Sequence, residues 1–118
     1  MRIHHVALRT EDLPRLEAFY VEVLGLEVVR RQGDRSVWLD AGGTLLMLER
    51  RAEGEPPVAA GSMELLAFAL EAGRGAPEEA LARAGVPVEA RTASTLYFRD
   101  PDGRRLGLSA YPDPLPER

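Results

Sequence analysis

Two side chains on one face of the first short apolar strand, those of His5 and Arg9, could act on a small molecule. His5 suits a general base, a hydrogen-bond donor or a metal ligand, and pairing with a neighbouring carboxylate or carbonyl explains it equally well. Arg9 follows four residues later on the same strand face, and its guanidinium suits either an anionic ligand or a carboxylate such as Glu49. His4 is predicted on the opposite face. These residues predict the binding of a small molecule.

Aromatic side chains are the other candidate ligand contacts, because a ring offers a broad apolar face to a flat molecule. Tyr97 lies on the opposite strand face from Phe98 and is the aromatic residue predicted to line a pocket. Arg99 and Arg105 are candidates for the rim of that pocket. The segment Gly73-Arg74-Gly75 precedes a predicted helix, where it suits either phosphate binding or a flexible connection.

The amino-acid composition limits the classes of function that the protein can have. The chain has 118 residues, of which 45% are hydrophobic and none is cysteine, which is typical of one globular domain and excludes thiol chemistry. Its formal net charge of −4 predicts no attraction to nucleic acid. No apolar run is long enough to span a membrane and no secretion signal is recognised, so a cytoplasmic location is predicted. All 15 basic residues are arginine, Asn is absent and Gln32 is the only Gln; the scarcity of thermolabile amides is typical of thermostable proteins, and a GC-rich genome gives a similar bias.

The spacing of apolar residues predicts the elements that position these side chains. Apolar residues from Leu16 to Leu24 form one helical stripe, with Asp12 as the N-cap and Gly25 at the end. Glycine-containing turns separate the short apolar runs around this helix, which predict strands at 2–9, 26–31, 36–40 and 44–50. The second half repeats this order, with a helix from Pro77 to Gly85 and strands at 63–71, 87–91, 94–99 and 104–110.

An internal repeat predicts the architecture. A constant shift of 60 residues superimposes the two halves without a gap and matches Gly25 with Gly85. The same shift matches Trp38 with Phe98, which predicts that both rings pack in the core. The predicted fold class is α+β, with two repeated β-α-β-β-β modules. The single domain then consists of module one (1–50), a linker (51–61), module two (62–111) and a tail (112–118).

The sequence resembles the vicinal oxygen chelate (VOC) superfamily, which includes glyoxalase I, bleomycin resistance proteins and extradiol dioxygenases. Three segments carry the resemblance: HVAL at 5–8, FYVEVLGL at 19–26 and YFRDPDG at 97–103. The resemblance covers nearly the whole chain and implies that the modules curl into a mixed sheet around an open cleft. A homodimer is the expected partner, since a twofold axis would also cover exposed sheet edges.

Enzymes of this superfamily hold a divalent metal with ligands on the first and fourth strands of each module. The matching positions here are His5, Met47, Leu65 and Gly107, of which only His5 has a side chain that binds such a metal. Glu49 shares the strand face of Met47 and offers a second ligand. Arg9 matches the position at which glyoxalase I enzymes carry an arginine for the anionic end of glutathione.

The resemblance to the superfamily, together with the ligand positions that differ from it, leads to two main hypotheses. The first is a protein similar to bleomycin resistance proteins that binds an unknown small molecule in the cleft without a metal or other cofactor. Its predicted ligand-binding residues are His5, Arg9, Met47, Glu49, Leu65, Tyr97 and Gly107. The alternative is a metal-dependent lyase, isomerase or dioxygenase of the glyoxalase type that uses His5 and Glu49. A third class, an interaction module, would have a cleft filled by its own side chains.

Overall fold

The computed structural model describes residues 1–71 and 75–116, and the chain divides into two compact units. Unit 1 is Met1–Pro57 and unit 2 is Val58–Arg118. The boundary falls within the segment 51–61 that the sequence predicts as a linker. Of the predicted phosphate contact, Gly73 and Arg74 lie outside the described residues.

Unit 1 is a four-stranded mixed sheet with one helix. The strands are β1 (His5–Thr10), β2 (Glu27–Gln32), β3 (Ser36–Asp40) and β4 (Leu45–Arg50). Their order in the sheet is β1-β4-β3-β2, with β1 parallel to β4 and the other neighbours antiparallel. The helix α1 (Leu13–Ala18) connects β1 to β2 and continues into a π-helical turn (Phe19–Val23).

The helical segment formed by α1 and the π-helical turn begins after Asp12 and ends before Gly25, as the sequence predicts. The Asp12 side chain accepts a hydrogen bond from the backbone N–H of Arg15, which satisfies one of the free donors at the helix start. Gly25 has a φ of 77°, the left-handed conformation that a side chain disfavours. The sequence does not predict the π-helical turn. This turn is defined by hydrogen bonds to a carbonyl five residues back, such as the bond from the N–H of Leu24 to the carbonyl of Phe19. A 3.6-residue apolar period does not distinguish such a turn from regular helix.

Unit 2 repeats the element order of unit 1. Its strands are β5 (Leu65–Ala69), β6 (Ala90–Arg91), β7 (Thr95–Arg99) and β8 (Arg105–Ser109), in the sheet order β5-β8-β7-β6. The helix α2 (Pro77–Arg83) has Glu78 and Glu79 in its first turn, where negative charge is favourable. The strand β6 has two residues, against the five predicted at 87–91.

The strand register of the two sheets shows where the gap-free repeat is wrong. His5 pairs with Leu45 in β4. Adding 60 to both numbers gives Leu65 and Arg105, which also pair in the structure. In the next strand pair the shift changes, because Trp38 lies opposite Met47 whereas Tyr97 lies opposite Gly107. The turn between β7 and β8 spans 100–104 and is one residue longer than the turn 41–44. The counterpart of Trp38 is therefore Tyr97, not Phe98.

Alternate residues of the strands build the core of each unit. Leu8, Val37, Leu39, Leu46 and Leu48 form the buried face of the unit 1 sheet, and Leu13 and Leu16 of α1 are buried as well. In unit 2 the buried residues include Leu81, Leu96, Phe98 and Leu106. The opposite face of each sheet, here called its open face, carries the predicted site residues. No helix within residues 1–71 and 75–116 has the length and apolar character needed to span a membrane.

Candidate functional site

The open face of unit 1 brings the candidate residues of β1 and β4 into three rows. The register places His5 beside Leu45, Ala7 beside Met47, and Arg9 beside Glu49. Strand alternation puts all these side chains on the open face, while Leu8, Leu46 and Leu48 face the core. Each row continues across the sheet onto β3.

The middle row contains an aromatic residue that the sequence analysis places in the core. Trp38 lies opposite Met47 and is half-buried on the open face, so the prediction of core packing is wrong. Its indole Nε1 donates to the Ser36 hydroxyl over 3.0 Å. The guanidinium carbon of Arg30 lies 5.0 Å from the centre of its ring, within the range of a cation–π contact. The central residues of β3 are all apolar, so the sequence pattern does not reveal which of them face the core.

Arg9 is held by two carboxylates of its own chain. Its guanidinium forms ion pairs with Glu49 over 3.3 Å and with Glu55 over 2.8 Å, and its Nε donates to Glu55 over 3.1 Å. The Arg9 hydrogen bonds, with a further bond from the backbone N–H of Ala52, lower the pKa of Glu55 to about 2. The same contacts, led by Glu55, raise the pKa of Arg9. The carboxylates of Glu49 and Glu55 already neutralise the positive charge of Arg9, so Arg9 is less suited to bind an anionic ligand.

Glu55 is a residue that the sequence analysis does not single out. It lies in the segment 51–61, predicted as a linker, of which 51–57 belongs to unit 1. The backbone N–H of Arg51 donates to the carbonyl of Thr10 over 2.8 Å, so this segment starts alongside the end of β1. Glu55 is one of many acidic residues, and no spacing in the sequence links it to Arg9.

His5 is exposed and lies against His4. The two Nδ1 atoms are 2.9 Å apart, and the rings meet edge to face with their centres 5.2 Å apart. For this contact to be a hydrogen bond, one Nδ1 must be protonated and donate, and the other must be unprotonated and accept the hydrogen bond. The prediction that His4 lies on the opposite face is wrong, because β1 begins at His5 and strand alternation does not extend to His4.

The residues present do not fit a divalent metal shared by His5 and Glu49. Glu49 lies beside Arg9, four residues along the strand from His5, a separation of about 13 Å at roughly 3.3 Å per residue. Its carboxylate is also engaged by Arg9. In the part of the chain that the structure describes, no three His, Asp or Glu side chains are grouped so as to hold a metal ion. The structure therefore does not bring the predicted reduced metal site together.

The other two ligand positions of the superfamily, Leu65 and Gly107, are diagonal neighbours on the open face of unit 2, because Gly107 lies beside Ala67. A Cβ at Gly107 would be 3.3 Å from the Ala67 Cβ and 3.6 Å from the Leu65 Cδ1, so neighbouring apolar groups crowd this position. The backbone φ of Gly107 is not in the left-handed range, so crowding alone favours glycine there. Leu65 is 45% exposed. Both positions are apolar, and position 107 has little room for a longer side chain.

Tyr97 lies on the open face of unit 2, opposite to the buried ring of Phe98, and its ring is stacked with an arginine. The guanidinium carbon of Arg105 is 4.3 Å from the ring centre, and its Nε is 3.9 Å from a Glu89 carboxylate oxygen. Glu89 accepts two shorter hydrogen bonds, of 2.6 and 2.8 Å, from Arg99. These bonds, with the positive charge of Arg105, lower the pKa of Glu89. Both predicted rim arginines therefore have a partner in Glu89.

A groove of about 440 Å³ lies in unit 1 on the side of α1, away from the open face. No pattern in the sequence predicts this groove. Its wall includes the ion pair of Glu17 and Arg31, with two contacts of 2.7 Å. Its apolar lining comes from Leu13, Pro14, Ala18, Val21 and Val37.

One family model matches nearly the whole chain. The family model described as Glyoxalase/Bleomycin resistance protein/Dioxygenase superfamily matches residues 2–108. A lactoylglutathione lyase from Agrobacterium tumefaciens is 26% identical, with 92% of each chain covered and a TM-score of 0.71. A structure described as a possible glyoxalase from Bacillus cereus is 23% identical, covers 92% of this chain and 98% of its own, and has a TM-score of 0.72.

An integron cassette protein from the mobile metagenome of the Halifax Harbour sewage outfall is 24% identical. The match covers 92% of this chain and 97% of that chain, with a TM-score of 0.74. At identities under 25%, this structure and the one from Bacillus cereus show the fold alone. The α+β fold of two repeated modules is therefore confirmed.

Proposed function

Because the chain belongs to the Glyoxalase/Bleomycin resistance protein/Dioxygenase superfamily, we propose that it binds a small molecule on the open face of its sheets without a catalytic metal. The observation that carries the proposal is the donor set at the four ligand positions. Met47, Leu65 and Gly107 offer no oxygen or nitrogen side-chain donor, which leaves His5 alone. A stable divalent site ordinarily has three or more protein ligands.

The composition of the open face supports a binding role. Met47 and Trp38 are half-buried there, so they offer apolar surface that is still accessible. A small molecule gains affinity when it covers apolar surface of this kind, and a few polar groups then fix its orientation. Ser36 and Arg30 are the polar neighbours of Trp38.

The proposal is tested by native mass spectrometry and metal analysis of protein purified without a chelator. We expect far less than one equivalent of zinc, nickel, manganese or iron, and a melting temperature that EDTA leaves unchanged. A co-purified small molecule would support the binding role directly. Stoichiometric metal would contradict the proposal.

The alternative function is that of a glyoxalase-type enzyme. The retained His5 and the 26% identity to a lactoylglutathione lyase favour it. Its signature is stoichiometric metal that is lost in His5→Ala or Glu49→Ala. The matched control is His4→Ala, which removes an adjacent imidazole and should leave the bound metal in place. Metal loss confined to the His5 and Glu49 variants would establish the alternative.

We also propose that two copies of the chain form a homodimer. Large apolar side chains are exposed at several places outside the core, namely Ile3, Val29, Met63, Leu65, Val88 and Tyr111. Burying such groups in a subunit interface stabilises association. Sedimentation equilibrium should give twice the chain mass at tens of micromolar protein, and a monomer at that concentration would contradict the dimer.

A further inference from the structure

A row of four residues crosses the open face of unit 1 and ends in an arginine. The register places Ala7 beside Met47, Met47 beside Trp38, and Trp38 beside Arg30, so the row includes all four strands. Three steps between strands, at roughly 4.8 Å each, give the row a length of about 14 Å. Its first three members are apolar, and its last is a cation.

Arg30 differs from Arg9 in what surrounds its guanidinium. Glu49 and Glu55 neutralise Arg9. Across residues 1–71 and 75–116, no carboxylate lies within ion-pair distance of Arg30, whose neighbour is the face of the Trp38 ring. Arg30 is also exposed, so an anion can reach it from solvent. Of these two arginines, Arg30 is the one without a carboxylate partner among the described residues, so its charge is available to a ligand on this face.

We infer that this row binds a molecule with one carboxylate and a flat apolar body, the carboxylate at Arg30 and the body along Trp38 and Met47. The inference rests on the proposed function and names its ligand class. A planar guanidinium matches a carboxylate through two parallel N–H···O bonds. The contact with Trp38 already orients Arg30, which reduces the entropy lost on binding. A single positive charge suits a monoanion.

Benzoate is the probe, and benzamide is its uncharged counterpart of the same shape. Trp38 is the one tryptophan of the chain, so its fluorescence reports from the row itself. We expect a saturable fluorescence change with benzoate in the millimolar range, as befits so small a ligand. Benzamide should bind about tenfold more weakly, because it cannot form the ion pair.

Variants assign the effect to Arg30. Arg30→Gln should weaken benzoate binding about tenfold, and Arg30→Lys should fall between it and the wild type, since it keeps the charge and loses the planar fork. Arg31→Gln is the matched control, because it removes the same charge from the next residue, on the opposite strand face. Arg31→Gln should stay within about twofold of the wild type.

Several outcomes would overturn the inference. They are equal binding of benzoate and benzamide, undiminished binding in Arg30→Gln, a loss confined to Arg9→Gln, and the absence of saturable binding. Tighter binding of inorganic phosphate than of benzoate would overturn it as well. The wild-type comparison of benzoate with benzamide needs no variant to fold. Metal analysis tests the proposed function separately, and a neutral co-purified ligand would support that function while contradicting the carboxylate.

Discussion

Trp38 and Tyr97 occupy the same place in their sheets, and each carries a stacked arginine. Trp38 lies opposite Met47 and contacts Arg30 of the neighbouring strand β2, whereas Tyr97 lies opposite Gly107 and contacts Arg105 of β8. Arg105 has the Glu89 carboxylate nearby. The two modules therefore keep an aromatic residue on the open face but differ in how the adjacent cation is balanced.

The turn that changes the register depends on a buried carboxylate. Asp100 is 4% exposed and accepts hydrogen bonds from the backbone N–H groups of Asp102 and Arg104 and from the Arg104 guanidinium. We expect Asp100→Ala to lower the free energy of unfolding by about 2 kcal/mol, because it removes the acceptor of three part-buried hydrogen bonds. Urea unfolding measures the change.

The matched control for Asp100 is Asp40 in the corresponding turn of unit 1. Asp40 accepts from the N–H groups of Gly42 and Gly43 but is exposed, so water can replace it. Asp40→Ala should lower the free energy of unfolding by less than about 1 kcal/mol. Equal losses in the two variants would contradict the role assigned to burial.

The pH dependence of stability should reflect Glu55. Its pKa is near 2 in the folded protein and 4.5 ordinarily. Above pH 4.5 both states are ionised and the ion pair with Arg9 contributes fully. As the pH falls from 4.5 towards 2, the unfolded chain takes up a proton that the folded protein does not, so stability is lost.

Urea unfolding at neutral pH and at about pH 3 measures this loss. It should be smaller in Glu55→Gln than in the wild type, because that variant has no carboxyl group to titrate there. Glu53→Gln is the control in the same segment, and it should behave as the wild type. An identical acid sensitivity of Glu55→Gln and the wild type would rule out this origin.

Helix termination should depend on glycine at two positions. Gly85 has a φ of 73°, and a Cβ there would meet no atom within 4 Å, so backbone strain alone opposes a side chain. Gly85→Ala should lower the free energy of unfolding by about 1 kcal/mol. Gly25→Val should have a similar or larger effect, since Gly25 has a φ of 77°. Thermal unfolding measures both.

Gly75 provides the control for the helix-terminating glycines. Its φ is outside the left-handed range and a Cβ there would also meet nothing within 4 Å. Gly75→Ala should leave the melting temperature unchanged or raise it slightly. A melting temperature of Gly25→Val or Gly85→Ala equal to that of the wild type would show that these helix ends tolerate a side chain.

Crowding at Gly107 should limit attempts to install a ligand there. A Cβ would lie 3.3 Å from the Ala67 Cβ and 3.4 Å from the Thr95 Cγ2. Gly107→Val should lower the free energy of unfolding by about 1–3 kcal/mol through overpacking. Ala69→Val, at an exposed position of β5 on the same open face, should change it by less than about 0.5 kcal/mol. A fully stable Gly107→Val would show that the neighbours move aside.

The types and order of the elements were largely determined by the sequence, because they depend on local signals. These local signals are the Asp12 cap, the glycines that end the helices and the alternating apolar runs. Each involves only a few neighbouring residues, so it can be recognised in the sequence without knowledge of the tertiary structure. The internal repeat matched β1 with β5 and β4 with β8. The registers of the pairs β1–β4 and β5–β8 agree with this match. The family resemblance followed from the same segments and is confirmed.

The tertiary structure decided which side chains meet, because those contacts depend on turn length and strand pairing between distant residues. One extra residue in the turn 100–104 shifted β7 and made Tyr97, not Phe98, the counterpart of Trp38. The pairing of β1 with β4 separated His5 from Glu49, and the path of the segment after β4 brought Glu55 to Arg9. The contacts of Arg9 with Glu49 and Glu55 join residues 40 and 46 positions apart, a range that local sequence signals do not reach.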